Sequence, residues 1–582
     1  MEKKMLKIAS ILFGALTVVL YSIISSAQIL GFLKIYNPLS AILLTAAIIC
    51  ILTYIFLKKA GNKFFLSIFN KKKYKDAPSA LSKVFYFCGL LILISMILLP
   101  LIGWPYTPIN DTLHWDAGLY HFPKAVELYK TGSAWDFSIA YGEYPFGYES
   151  LIAFDLSISG NCLLFGTTHA LIALFLFLAI WLLGVRYTKI SPGLLFFMTG
   201  VLLISGLFAI SSNIWWIYKF LIFTIGKNDL FLGAAILALI LFAPIGNKDN
   251  YKYFDPLGMS VATAIAMSVK PNAVFIVVPI WLYTCVLWLR QSKLKETEST
   301  GFGKIVLLVL IIIPGGLWFI RNVVHQGFAF STIANDVYSW SILNNITDPR
   351  FYNFIPKNLY AVVFIVVFSF IICIIGKKIS ITIPAALLLL FIGFIATPAT
   401  AFASNTQERA GIAWRFAIAL LSYVYLVLLV LAEPIINFVY RQIRKKRIAL
   451  IAVSIITLLF TGQLVYANRN LNLHNPKNDI VLIDQFRESV GTNGYFSAYD
   501  YVQRNVQNSV IQVENGLPFY VYGPDFSNSV TRQKPADYFI IFKTAWFGEH
   551  PENYPDYLAA ETFNNTWKLV YEDSQGRVYK RK

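Results

Sequence analysis

The feature that most constrains this chain is a succession of apolar runs, each close to the ~20 residues a helix needs to cross the hydrocarbon core of a bilayer. They begin near Leu6, Ala41, Val84, Leu163, Gly193, Asp229, Pro256, Asn272, Ile305, Tyr360, Ile381, Trp414 and Ile448, which makes about thirteen spans. In lipid every backbone amide and carbonyl must be satisfied internally, so runs this continuous are helices. With 57% hydrophobic residues, 14% charged and a mean hydropathy of +0.60 over 582 residues, the chain is too apolar to be soluble. The expected fold is a polytopic α-helical membrane protein.

The stretch from Pro256 to Leu289 is too long for one crossing and short for two. Lys270 and Pro271 interrupt it, and we read it as two helices meeting near the outer surface. The start, "MEKKMLKIASILFGALTVVLYSIISSAQ", has the basic beginning of a signal peptide. Its apolar stretch exceeds the usual ~7 to 15 residues, so it reads as an uncleaved first helix.

A net charge of +18 might bring nucleic acid to mind, but nucleic-acid binders gather their charge on one solvated face. Here the basic residues fall in short segments, "KKAGNKFFLSIFNKKKYK", "RQSKLK", "GKK" and "RQIRKKR". That is the pattern of cytoplasmic loops, and no nucleic-acid partner is expected. With the N-terminus inside and an odd number of spans, everything after about Asn468 lies outside. We therefore expect a membrane domain over 1–466 and an extracytoplasmic α/β domain over 467–582.

In that second domain "DIVLIDQF", "ADYFIIF" and "TWKLVYEDSQGRVYKR" read as short strands, the last a hairpin turning at "EDSQG". Few catalytic-looking groups cluster there, which points to a binding or supporting role. Cys50, Cys88, Cys162, Cys285 and Cys373 stand singly and read as packing residues.

The chemistry concentrates in the outer loop at about 104–162. It carries Asp111, Asp116, Glu127, Asp136, Glu143, Glu149 and Asp155 against Lys124 and Lys130. Glu127, Asp136 and Asp155 read as ordinary solvated acids. "WDAGLYHFPKAVELYKTG" is amphipathic at helical spacing, with Leu119, Phe122 and Val126 on one side and Asp116, Tyr120 and Lys124 on the other. It is expected to lie along the membrane surface.

"DAGLYHFPKAVELYKTG", followed by "YPFGYESLIAF", resembles the bacterial membrane glycosyltransferases of the GT-C superfamily, which include protein O-mannosyltransferases and lipid A aminoarabinose transferases. "KNDLFLGAAILAL", "SVKPNAVFIVVP", "PGGLWFIRNVVHQGFAFS" and "RAGIAWRFAIALL" resemble later landmarks of that family in the same order. Two departures stand out. Ala117 occupies the place of the second acid of the family's Asp-Glu pair, which weakens a metal role there. Two helices, where many members have one, precede the span before the acidic loop.

The resemblance implies sugar transfer from a polyprenyl-phosphate donor to an acceptor hydroxyl outside the membrane, the acceptor being a glycan, lipid or protein. It implies Asp116 as the general base. Asp111, His114 and His121 are candidates to orient Asp116 or contact sugar, and Tyr120 to contact sugar or pack. Glu143 and Glu149 flank a tyrosine-rich Pro/Gly turn suited to a sugar ring. For the leaving phosphate, Lys227, Lys270, Arg321, Arg409 and Arg415 fall at outer ends of spans. Ionisable groups there are costly unless functional, although snorkelling to headgroups is the plain alternative. Asp229, at the mouth of the sixth span, is the second carboxylate.

No Walker-type glycine loop appears, and "GFGK" at Gly301–Lys304 is too short a loop for a nucleotide. No nucleotide cofactor is expected, and a divalent metal is left open. The other readings are a transporter or lipid flippase, which needs a polar path the spans scarcely offer, and an envelope-glycan polymerase or ligase using a diphosphate-linked donor. A non-catalytic scaffold would leave the acidic loop without a purpose. The expected location is the bacterial inner membrane.

Overall fold

The computed structural model describes residues 2–60, 80–103, 116–204, 225–245, 255–293, 301–327, 356–376, 380–395, 414–443, 451–455, 457–459, 462, 497–514, 516–523, 525–531, 535–542, 565–572 and 576–582. Asp111, His114, Arg409, the "DIVLIDQF" segment and the boundary at 466/467 lie outside these residues.

Among the described residues, six helices are long and apolar enough to cross a membrane: Lys4–Phe32, Pro38–Phe56, Ala80–Leu98, Cys162–Tyr187, Ile305–Gln326 and Ile418–Ile443. Shorter apolar helices stand at Pro192–Ile204, Asp229–Phe242, Pro256–Val269, Pro271–Leu287, Ala361–Ile375 and Thr382–Ile395. Twelve of the expected runs are thus helical, and the run from Ile448 is helical at residues 451–455 and 457–459. Large apolar side chains such as Ile375, 78% exposed, and Phe438, 64% exposed, face outward. In lipid such side chains meet a solvent as apolar as themselves. The fold is that of a polytopic α-helical membrane protein with a small C-terminal sheet.

The first helix, α1 (Glu2–Phe32), belongs to the core. Phe13 stacks on Phe175 at 5.1 Å, Tyr21 donates to the Ile311 carbonyl at 2.8 Å, and Gln28 donates to Ser150 Oγ at 3.3 Å. It is an integral part of the bundle. The break at Lys270 is sharp: Lys270 adopts extended backbone (φ −147, ψ 146) between the Pro256–Val269 helix and a 3-10 turn at Pro271–Ala273. The reason is local, because proline disfavours helical backbone in the residue before it.

The segment after Asp116 departs from the expected surface helix. A π turn at Ala117–His121 leads into a helix at Phe122–Thr131, and the wider turn breaks the i, i+4 register. Lys124 therefore does not join Asp116. Phe122 and Val126 are buried, but so are His121, Lys124 and Glu127 on other faces, and the segment is packed on all sides. Glu127 and Asp155, read from sequence as solvated, are buried too.

The cover is the C-terminal sheet region. Its five-stranded sheet has the order β2-β1-β3-β5-β4, with β1 (Val510–Glu514), β2 (Ser529–Val530), β3 (Tyr538–Phe542), β4 (Trp567–Glu572) and β5 (Gly576–Arg581). β1 pairs parallel with β2 and β3, whereas β3–β5 and β4–β5 are antiparallel. The last pair is the hairpin expected from "TWKLVYEDSQGRVYKR". β1 was not among the expected strands. Phe519 meets Phe122 at 5.1 Å, and Val530 N donates to Glu127 Oε1 at 3.2 Å. Lys130 Nζ donates to Asn528 O and, at 2.9 Å, to Ser529 Oγ.

Candidate active site

At the end of the bundle that carries the sheet, five charged side chains from distant parts of the chain converge. Asp116 stands just ahead of the π turn. Asp229 lies in the first turn of the Asp229–Phe242 helix, where the helix dipole favours an anion. Lys227 precedes that helix, Lys270 sits at the proline break, and Arg415 lies in the 3-10 turn Trp414–Ala417 that opens the Ile418–Ile443 helix.

Asp116 Oδ2 pairs with Lys227 Nζ and, at 3.1 Å, with Arg415 Nη1. Asp229 Oδ1 pairs with Lys270 Nζ, and Arg415 Nε reaches Asp229 Oδ2 at 3.8 Å. Arg415 thus bridges the two carboxylates. With Lys227 protonated, three cations face two anions and the group carries one net positive charge, which suits it to an anion. Exposure separates the members: the Lys227 and Asp229 side chains are 1% and 2% exposed, whereas those of Lys270, Arg415 and Asp116 are 14%, 17% and 18% exposed. The latter three face the opening. Burial first, then Arg415, pushes Lys227 down to about 7, while Asp116 and Asp229 pull it upward.

The backbone beside Lys227 is held tightly. Gly226 adopts φ +92, and a Cβ there would lie 2.1 Å from the Ala117 Cβ. Its N–H donates to Tyr148 Oη at 3.1 Å. Ala117 is therefore a packing residue against the segment that carries Lys227, and position 226 has room only for glycine. Below the charged group a narrow crevice runs between apolar helices, lined by Asp229 and Arg415 at its top and by Gly233, Ile236, Ile276, Leu390 and Gly393 along its walls.

Other residues singled out from sequence do different work. Arg321 is buried and donates to the carbonyls of Ala134 (2.6 Å), Gly142 (2.7 Å) and Tyr144 (3.2 Å). It lies 4.8 Å from the ring centroids of both Phe137 and Phe146. Its donors are spent on the loop. Glu149, 1% exposed, pairs with His121 Nδ1 at 2.8 Å and Lys124 Nζ at 3.3 Å. Burial alone would raise the Glu149 carboxyl, but Lys124 and His121 bring it below its usual range. Burial pushes Lys124 down to about 8 and His121 below its ordinary value.

Tyr120 is buried, with His121 and Tyr141 against its ring at 4.1 and 4.8 Å. Glu143 gives its backbone carbonyl to Asn322 Nδ2 at 2.8 Å. Lys124, Tyr148, Gly226 and Asn322 had no assigned place in the site from sequence. For Asn322 the local signal was the Arg-Asn pair closing an apolar run, and for Lys124 its helical spacing from Asp116.

Among the described residues no group of three or more His, Cys, Asp or Glu side chains could hold a metal. The cation-paired oxygens of Asp116 and Asp229 are a poor donor set for a divalent ion, which would have to displace Lys or Arg. The residues present do not fit a metal at this point.

Fold and site together define a multi-span helical membrane protein with a cationic, carboxylate-bearing site at one end of the bundle. No protein-family model matches the sequence, and no curated protein does. Among solved structures, the crystal structure of ArnT from Cupriavidus metallidurans bound to undecaprenyl phosphate is similar, with 12% identity, a TM-score of 0.45, and coverage of 84% of this chain and 97% of that chain. At that level the likeness assigns no residue a role.

Proposed function

We propose that this protein is a GT-C-type glycosyltransferase that moves a sugar from a polyprenyl-phosphate donor to an acceptor hydroxyl on the outer side of the inner membrane. One observation carries the reading: two carboxylates and three cations gathered beside an apolar crevice at the end of the helical bundle. A lipid-borne anion needs a cationic site for its head beside apolar surface for its chain, and the charged group here adjoins apolar helices.

In the reaction, the acceptor oxygen attacks the anomeric carbon and its proton passes to Asp116, the more exposed carboxylate. The bond from that carbon to the phosphate oxygen breaks, and the phosphate leaves with the electron pair. Lys270 and Arg415 at the opening, with Lys227 behind, stabilise the charge that grows on it. An incoming phosphate competes with Asp116 for Lys227 and Arg415, which frees the carboxylate to accept a proton. A phosphate is a stable anion and needs no acid catalyst to leave, and the displacement inverts the anomeric centre.

Asp116→Asn is expected to abolish transfer, by roughly a hundredfold or more, with expression and membrane insertion intact. Lipid-linked sugar analysis of a deletion strain by mass spectrometry should show a glycosylated monophosphate lipid accumulating. Full transfer by Asp116→Asn would overturn the proposal, and accumulation of a diphosphate-linked glycan would turn it toward a polymerase or ligase.

A further inference from the structure

The loop between the Phe122–Thr131 helix and the Gly147–Ser159 helix is held by unusual means. Four consecutive carbonyls are captured by three side chains. Arg321 donates to Gly142 O and Tyr144 O, Asn322 to Glu143 O, and Lys124 to Tyr144 O at 3.2 Å and Pro145 O at 3.0 Å. Arg321 and Lys124 are fully buried. Burying two cations is expensive, and water would satisfy these carbonyls in a loop that needed only to be solvated. The clamp instead fixes one loop shape.

That shape includes Tyr141 at φ +55, a left-handed backbone that side chains with a Cβ seldom adopt and that clusters at functional sites. It brings three tyrosines together. Tyr141 lies 4.8 Å from Tyr120 and 5.0 Å from Tyr144, centroid to centroid. Tyr141 and Tyr144 are partly exposed, and Tyr120 shares the π turn with Asp116. The result is two partly exposed tyrosines, Tyr141 and Tyr144, packed against the buried Tyr120 that follows the candidate base in the chain.

From this arrangement we infer that Tyr141 and Tyr144, with the buried Tyr120 ring supporting Tyr141, form the subsite for the pyranose ring of the lipid-linked donor, with Arg321, Asn322 and Lys124 as positioning residues that hold its loop. A pyranose presents C–H faces that pack on aromatic rings and hydroxyls that bond to phenols, and the two partly exposed tyrosines offer both. The inference rests on the glycosyl-transfer reading. It adds where the sugar sits, as distinct from the phosphate.

The test separates the two. Purified full-length protein in detergent is titrated with decaprenyl phosphate and with decaprenyl-phosphate glucose, mannose and galactose, following tryptophan fluorescence. Wild type should bind at least one glycosylated lipid more tightly than decaprenyl phosphate. Tyr141→Ala should weaken that lipid roughly tenfold and leave decaprenyl phosphate unchanged, which also shows that the variant is folded. Tyr141→Phe should keep most of the affinity. Asn322→Leu should reproduce the selective loss, since a merely structural defect would weaken both lipids alike. Equal losses on both lipids, no loss on either, or no preference of wild type for any glycosylated lipid would sink the subsite alone. Failure of wild type to bind any polyprenyl phosphate would remove the glycosyl-transfer reading and the subsite with it.

Discussion

At the scale of single residues, the division between Asp116 and Asp229 follows from exposure. Both carboxylates share Arg415, but only Asp116 is open enough to meet an acceptor. Lys227 gives the site a pH dependence. A lysine is cationic below its pKa, and burial together with Arg415 brings this one down to about 7. The donor phosphodiester keeps a constant charge between about pH 6 and 9, so donor affinity should be highest at the low end and fall as pH rises through about 7. Lys227→Arg stays charged throughout and should flatten the curve. Dissociation constants across that range for a decaprenyl-phosphate sugar, a phosphodiester that unlike decaprenyl phosphate itself does not titrate there, check this, and parallel curves for the two proteins would count against it. Sequence singled out Lys227, Asp229, Lys270 and Arg415 because each interrupts or borders an apolar run. It had no means of telling that Arg321, equally placed, spends its donors on loop carbonyls.

At the scale of elements, the π turn at Ala117–His121 is the feature that periodicity missed. A seven-residue pattern fits an α-helix and an interrupted one equally well, and the inserted residue shows only in the backbone. Its consequence is that Lys124 turns to Glu149 and the helix is sandwiched between bundle and sheet. The sheet's grip runs through Lys130, whose ammonium meets Asn528 O and Ser529 Oγ. Lys130→Met should cost about 1–3 kcal/mol of docking. Limited proteolysis should then clip the C-terminal domain faster while the helical circular dichroism stays unchanged. An unaltered cleavage rate would show that Lys130 contributes little.

At the scale of the whole molecule, the site lies at the end of the bundle that bears the C-terminal sheet, so the orientation of the chain decides which side of the membrane the chemistry faces. From the distribution of basic segments we expect that end to face outside. Alkaline phosphatase fused after Lys582 should therefore be active in intact cells, and a cytoplasmic reporter at the same position should be silent. The reverse result would place the site inside and rule out a reaction on the outer face.

The sequence alone determined the helical spans, the proline break at Lys270 and the candidate charges. Each of these is local: twenty apolar residues, one proline or one ionisable group at a span's end carries its own signal. Tertiary structure decided which charges meet. Asp116 joins Lys227 and Arg415 across 111 and 299 residues of chain, while Lys124, only eight residues away, is claimed by Glu149. Pairing of that kind depends on how helices pack, and no window of sequence contains it.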